Sequence, residues 1–181
     1  MQQASFRRTV LPALLLLLLT GCGYQSPYGK SNADSSENAT VYVSVWKNNT
    51  NELGFDGAIL QRIGDWLQES KHITLTAYRD DADYILSGSI DSIDLPATAF
   101  SGNDRATTLK ARVTTSYQLV RRKTGEKVKT SQNAVREASY SVASDSVRTR
   151  SNKEVALATI ANAIGEQIYL EVFYTLTGYQ K

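Results

Sequence analysis

The sequence predicts an α+β domain over residues 40–181, with two helices packed on one face of a mixed four- to five-stranded sheet in the order β-α-β-β-β-β-α. Three observations predict it. Apolar residues alternate with polar ones near residues 41–45 and again over 109–119, which is the period of a strand. Over 55–67 and 157–172 they recur every three or four positions, the stripe of an amphipathic helix. The chain has 181 residues, 41% hydrophobic and 21% charged, enough for one core and neither disordered nor multi-spanning in composition.

Val41, Val43 and Val45 alternate with Tyr42, Ser44 and Trp46, so the first strand carries its valines on one face. A polar loop over 47–52 leads to Phe55, Ile59, Ile63, Trp66 and Leu67, one stripe of the first helix. Ile73, Leu75 and Ala77 form a short second strand and complete a βαβ unit. Asp80, Asp81 and Asp83 make a polar turn before a third strand from Tyr84 to Leu95, which Pro96 ends. Segment 97–106 (ATAFSGNDRA) reads as a loop. The fourth strand sets Leu109, Ala111, Val113, Thr115, Tyr117 and Leu119 on one face. Lys110, Arg112, Thr114, Ser116 and Gln118 take the other. Lys123-Thr124-Gly125-Glu126 supplies a hairpin turn to a fifth strand over about 127–140. After a Ser-rich loop, Ser151 and Glu154 match a capping box, so the last helix is expected from 151 to about 175.

The formal charge of +2 and the pI near 8.6 suggest a basic protein. The charges are segregated instead. Residues 22–104 hold 5 Lys/Arg against 12 Asp/Glu, residues 105–153 hold 12 against 3, and residues 154–181 hold 1 against 3. Without Arg7 and Arg8 the side chains balance at 18 of each sign, a poor match to nucleic acid but one that leaves a concentrated basic third. Arg105, Lys110 and Arg112 lead that third and are candidate anion contacts, because guanidinium forks and ammonium groups match phosphates. Arg121, Arg122, Lys123, Lys127 and Lys129 cluster at the hairpin tip, where a solvated charged turn is the simpler reading.

One Cys excludes an internal disulfide and any cysteine-cluster zinc site, and one His excludes paired-His metal sites. His72 follows the first helix, where a cap contact is expected. The aspartates at 80–83 lack the Gly and distal Glu of a calcium loop. No phosphate-binding Gly pattern or nucleophile elbow occurs. The expectation is a non-enzymatic protein with no catalytic residue, metal or cofactor.

Arg7 and Arg8 precede an apolar run over 10–19, too short for a bilayer of about 30 Å but right for a signal peptide. It ends in Leu19-Thr20-Gly21-Cys22, which resembles a bacterial lipobox. The resemblance implies a signal peptide over 1–21, lipidation of Cys22, and a flexible lipidated tether over 22–39. Gly23 stands where an inner-membrane retention signal would have Asp, which by analogy implies the outer membrane.

Cys22-Gly23-Tyr24, the strand and loop Val41-Tyr42-Val43-Ser44-Val45-Trp46-Lys47-Asn48-Asn49-Thr50, the segment Ala82-Asp83-Tyr84-Ile85-Leu86-Ser87-Gly88-Ser89-Ile90, the turn Arg122-Lys123-Thr124-Gly125-Glu126 and the closing helix occur in a telling order. In that order and spacing the chain resembles the lipopolysaccharide-assembly lipoproteins, the LptE family. The resemblance implies a partner of an outer-membrane β-barrel translocon, plugging the barrel and helping it assemble. It also implies lipopolysaccharide contact near 97–112, with Arg105, Lys110 and Arg112 as candidates. The location would be lipid-anchored on the outer membrane, facing the periplasm or inside a barrel lumen. The alternative is a small lipoprotein that activates a periplasmic machine such as a peptidoglycan synthase.

Overall fold

A computed structural model describes residues 38–178, all within one compact unit, 36–181. The expected signal peptide, Cys22 and nearly all of the tether lie outside the described residues. The chain runs β1 (Ala39–Val43), β2 (Lys47–Asn48), α1 (Phe55–Gln68), β3 (Ile73–Thr76), β4 (Tyr84–Asp94), β5 (Ala97–Phe100), β6 (Ala106–Arg121), β7 (Lys127–Ser141) and α2 (Ser146–Thr177). Seven strands fill five positions across one mixed sheet. β1 pairs in parallel with β3 on one side and β4 on the other, and β2 continues β1 along β4. β6 is antiparallel to β4 and β5 on one edge and to β7 on the other.

The expected alternation along β6 holds. Ala111, Val113, Thr115, Tyr117 and Leu119 are buried beneath the helices, while the even-numbered side chains face the other way. Phe55, Ile59, Ile63 and Leu67 of α1 are buried with Leu157, Ile160, Ile164, Ile168 and Val172 of α2. These residues join Val41, Leu86, Ile90, Val113 and Leu119 in one core. At the helix crossing Gly165 lies against α1. A Cβ placed there would meet the Arg62 Cβ at 2.8 Å and its carbonyl carbon at 3.0 Å, so the approach requires glycine.

Four local expectations are corrected. The inward face of β1 ends at Val43. Val45 is 80% exposed, while Trp46 is buried against Gly88, where a Cβ would come within 2.6 Å of the indole. Ser44 donates to the Leu86 carbonyl at the end of β1, and the chain then turns Trp46 into the core before pairing resumes at β2. Segment 97–106 is a strand and a tight turn rather than a loop. Pro96 removes one ladder donor, but its carbonyl still accepts from the Lys110 N–H at 3.0 Å, so pairing resumes as β5. The last helix starts at Ser146, five residues before the expected capping box. Asp145 takes the cap by accepting from the Val147 and Arg148 N–H groups at 3.0 and 3.3 Å, and the helix runs to Thr177 before Gly178.

The polar turn before β4 is fixed through the Asp83 carboxylate. It accepts from the Thr40 hydroxyl at 2.6 Å and the Thr40 N–H at 3.1 Å. These two bonds, the hydroxyl first, hold Asp83 below the ordinary carboxylate range. His72 makes no cap contact of the kind expected. Its ring stands edge-on to Phe173, with centroids 5.7 Å apart.

Candidate functional site

Both helices lie over one face of the sheet, and no described helix or strand packs on the opposite face. That face is largely polar because of strand parity, although Ile85, Val120 and Val135 also lie on it. It carries Ser87 and Ser89 from β4, Lys110, Arg112, Thr114, Ser116 and Gln118 from β6, and Glu137 from β7. Asp91, two residues on from Ser89 and of the same parity, lies on it as well, where the carboxylate accepts from the Ser89 and Ser116 hydroxyls, each at 2.6 Å.

Two of the three candidate cations come together here. Arg112 stands directly opposite Glu137, its Nε donating to Oε1 at 2.6 Å, and Lys110 Nζ approaches Oε2 at 3.0 Å. The guanidinium and then the ammonium bond hold the Glu137 carboxyl below its ordinary range. Asp94 of β4 stands opposite Arg112 on its other side, so the two cations sit between two carboxylates. The guanidinium and ammonium groups still hold further N–H donors that suit a phosphate or carboxylate at this exposed site.

Arg105 is elsewhere. It closes the β5–β6 turn, where its carbonyl accepts from Ser101 N–H at 2.8 Å, and its side chain is exposed. About 17 Å of strand separates it from Lys110. The three candidates therefore form a pair and an outlier rather than one cluster. Glu137 is the member that sequence reasoning missed.

The basic hairpin tip is only partly solvated charge. Arg121 donates to the Tyr84 hydroxyl at 2.9 Å and pairs with Glu126, while Arg122 donates to the Ala82 carbonyl at 2.6 Å. Lys129 reaches the helix side of the sheet and meets Glu171 at 3.0 Å. The same carboxylate accepts from the Tyr117 hydroxyl and from the Gln167 amide, a latch joining α2 to β6 and β7. Burial, the largest influence on Glu171, pushes its carboxyl up. The bonds from Tyr117, Lys129 and Gln167 together outweigh it and leave Glu171 below its usual value. Burial and the neighbouring carboxylate push the Tyr117 hydroxyl well above its ordinary range. Among the described residues no group of three or more His, Cys, Asp or Glu is placed to hold a metal ion.

The family model for lipopolysaccharide assembly, LptE, matches residues 39–172. The chain belongs to the LptE family. The match spans every strand and nearly all of α2, and it assigns the chain, at family level, to the lipoproteins of lipopolysaccharide assembly. Solved lipoprotein structures share the fold. The rare lipoprotein B of Shewanella oneidensis aligns with a TM-score of 0.53 at 8% identity, over 76% of this chain and 97% of that one. Lipoprotein B of Nitrosomonas europaea aligns with a TM-score of 0.55 at 10% identity, over 78% and 86%. A sequence search among curated proteins finds no match.

Proposed function

We propose that this LptE-family chain is an outer-membrane lipoprotein, anchored through Cys22, that plugs a partner β-barrel, helps it assemble and contacts lipopolysaccharide through Lys110 and Arg112. The observation that carries this reading is the uncovered polar face with its two cations sharing Glu137. A barrel lumen is polar, so a domain with one dry face and one hydroxyl- and charge-bearing face can present the latter to it while its apolar core stays out of water. Dimensions agree. β6 has 16 residues and α2 has 32, each about 50 Å long, which exceeds the barrel's apolar band of about 25 Å. Among the described residues no helix is long and apolar enough to cross a membrane itself.

The test is purification of the full lipidated chain from detergent-solubilised membranes. A large β-barrel should accompany it, and a peptidoglycan synthase recovered without any barrel would overturn the reading. For the contact, Lys110→Ala with Arg112→Ala should weaken lipopolysaccharide binding, with a shallower salt dependence than the unaltered chain. Adding Arg105→Glu should weaken binding further only if the ligand reaches the β5–β6 turn.

A further inference from the structure

One end of the domain gathers features that the polar sheet face does not use. β1, β3 and β4 run parallel and start at this end, and the antiparallel β6 finishes there. α1 leads down to the start of β3, and the Lys129–Glu171 pair sets the last turns of α2 beside the start of β7. Four aromatic rings line the two helices here. Trp66 of α1 stacks on Tyr169 of α2 with centroids 5.8 Å apart, Phe173 follows Tyr169 at 6.0 Å, and Tyr174 stands edge-on to Phe173 at 5.6 Å. Trp66, Tyr169 and Phe173 are half-buried, while Tyr174 and Leu170 are exposed. Rings with an apolar body and a polar tip suit the boundary between a bilayer and water.

Lys71, after α1, and Lys123 and Lys127, at the β6–β7 turn, stand around the same end. All three are exposed, and none has an ion pair among the described residues. Carboxylates share this end. Glu126 pairs with Arg121 and Asp83 is held by Thr40, but Glu69, Asp80 and Asp81 are exposed. Charge alone would therefore not hold this end on a membrane, and the rings with Leu170 supply the apolar part of the attraction. The chain also enters here, at Ala39, seventeen residues after Cys22. That length of chain reaches at most about 60 Å, and the β5–β6 turn lies about 50 Å farther along β6. A tether of this reach keeps lipid at a high effective concentration around the near end, so a contact too weak to bind alone suffices.

We infer that this end is a membrane-docking surface. Trp66, Tyr169, Leu170 and Tyr174 lie at the headgroup level of the phospholipid leaflet that holds the acylated Cys22, with Lys71, Lys123 and Lys127 against its phosphates. The inference rests on the proposed anchoring through Cys22 and goes beyond the barrel and lipopolysaccharide contacts, neither of which it needs. It describes the anchored chain before a barrel encloses it, with the β5–β6 turn pointing away from the bilayer.

The test uses the full lipidated chain, without a barrel, in vesicles of phosphatidylcholine and phosphatidylglycerol whose acyl chains carry bromine close to the headgroups. Bromine quenches an indole only near contact, and Trp46 is 2% exposed and packed on Gly88, so quenching reports Trp66. Trp66 emission should be quenched relative to vesicles without bromine. Leu170→Gln with Tyr174→Gln should lower that quenching roughly twofold or more, and so should Lys71→Glu with Lys123→Glu and Lys127→Glu. Arg105→Glu, at the far end, should leave it unchanged. Equal melting midpoints show that the variants remain folded. The inference is overturned if Trp66 is not quenched, or if quenching survives undiminished in both sets of variants. The intact mass of the purified chain reads acylation of Cys22 separately. An acylated chain with unquenched Trp66 removes the docking surface and keeps the proposed anchor and barrel, whereas a chain without acyl groups removes the anchor on which the docking rests. Barrel recovery lost in the Leu170→Gln/Tyr174→Gln chain, with vesicle quenching unaltered, assigns the rings to the barrel and overturns the inference.

Discussion

Replacing Gly165 by Ala tests the helix packing directly, because local propensity and tertiary contact predict opposite signs. Alanine is favoured over glycine in a helix interior by about 1 kcal/mol. At Gly165 the added methyl would stand 2.8 Å from the Arg62 Cβ, 3.0 Å from its carbonyl carbon and 3.2 Å from its oxygen. Carbon atoms prefer separations of about 3.5–4.0 Å, so α1 must retreat by roughly 0.5–1 Å. Two of the three obstructing atoms are backbone, so no rotamer change relieves the clash. Forced overpacking of this kind costs about 1–3 kcal/mol, which leaves a net loss of about 1 kcal/mol.

Gly64, inside α1, is the control. A Cβ there meets only the Gln68 amide nitrogen at 4.0 Å, so Gly64→Ala should stabilise by up to about 1 kcal/mol. Urea unfolding with unchanged m measures both variants. In thermal melts the two should fall on opposite sides of the parent, by about 2–4 °C each. A Gly165→Ala chain that melts at or above the parent would refute the packing argument.

Four further outcomes follow from the structure. Leu86→Ala empties a fully buried site at the centre of the sheet and should cost about 2–5 kcal/mol in urea unfolding. Asp145→Ala removes the acceptor for two N–H groups of α2 and should cost about 0.5–2 kcal/mol by the same measurement. Glu171 has a depressed folded-state value, so its contribution is present above the unfolded glutamate value of about 4.3 and is lost as pH falls through the folded value. Melting midpoints of the parent should therefore fall more steeply below about pH 4.3 than those of Glu171→Gln. Thr40→Val removes the hydroxyl that donates to Asp83 and should raise the Asp83 value, which NMR titration would detect.

Much of the fold is legible because burial imposes a period. The odd-numbered face of β6, the α1 stripe and the α2 stripe all follow from spacing alone. The misread places are those where a single contact outweighs the pattern. Trp46 breaks the β1 alternation because Gly88 leaves a slot for an indole. β5 survives Pro96 because the proline carbonyl still accepts. Ser151 and Glu154 form a capping pattern inside a helix that Asp145 has already started.

Glu137 shows why the site itself was only half visible. A regular hairpin counted from the Val120–Lys127 pair would set Val135 opposite Arg112. Two irregularities, between Leu119 and Val120 and between Thr115 and Tyr117, each give β7 one extra residue and bring Glu137 there instead. Together they shift the register by two, so the strand keeps its faces while its cross-strand partners change. Parity could place Lys110 and Arg112 on the polar face, but it could not name the carboxylate between them.

The position of α2 at the end of the chain has a consequence for how the molecule comes into being. The strands that make up the sheet are all complete by Ser141, yet the greater part of their cover is the final helix, through Leu157, Ile160, Ile164, Ile168 and Val172. While the chain is emerging in order of synthesis, the inner side of a five-position sheet stays wet until these last turns arrive. During that interval the nascent chain exposes the apolar side of its sheet, the condition that favours aggregation.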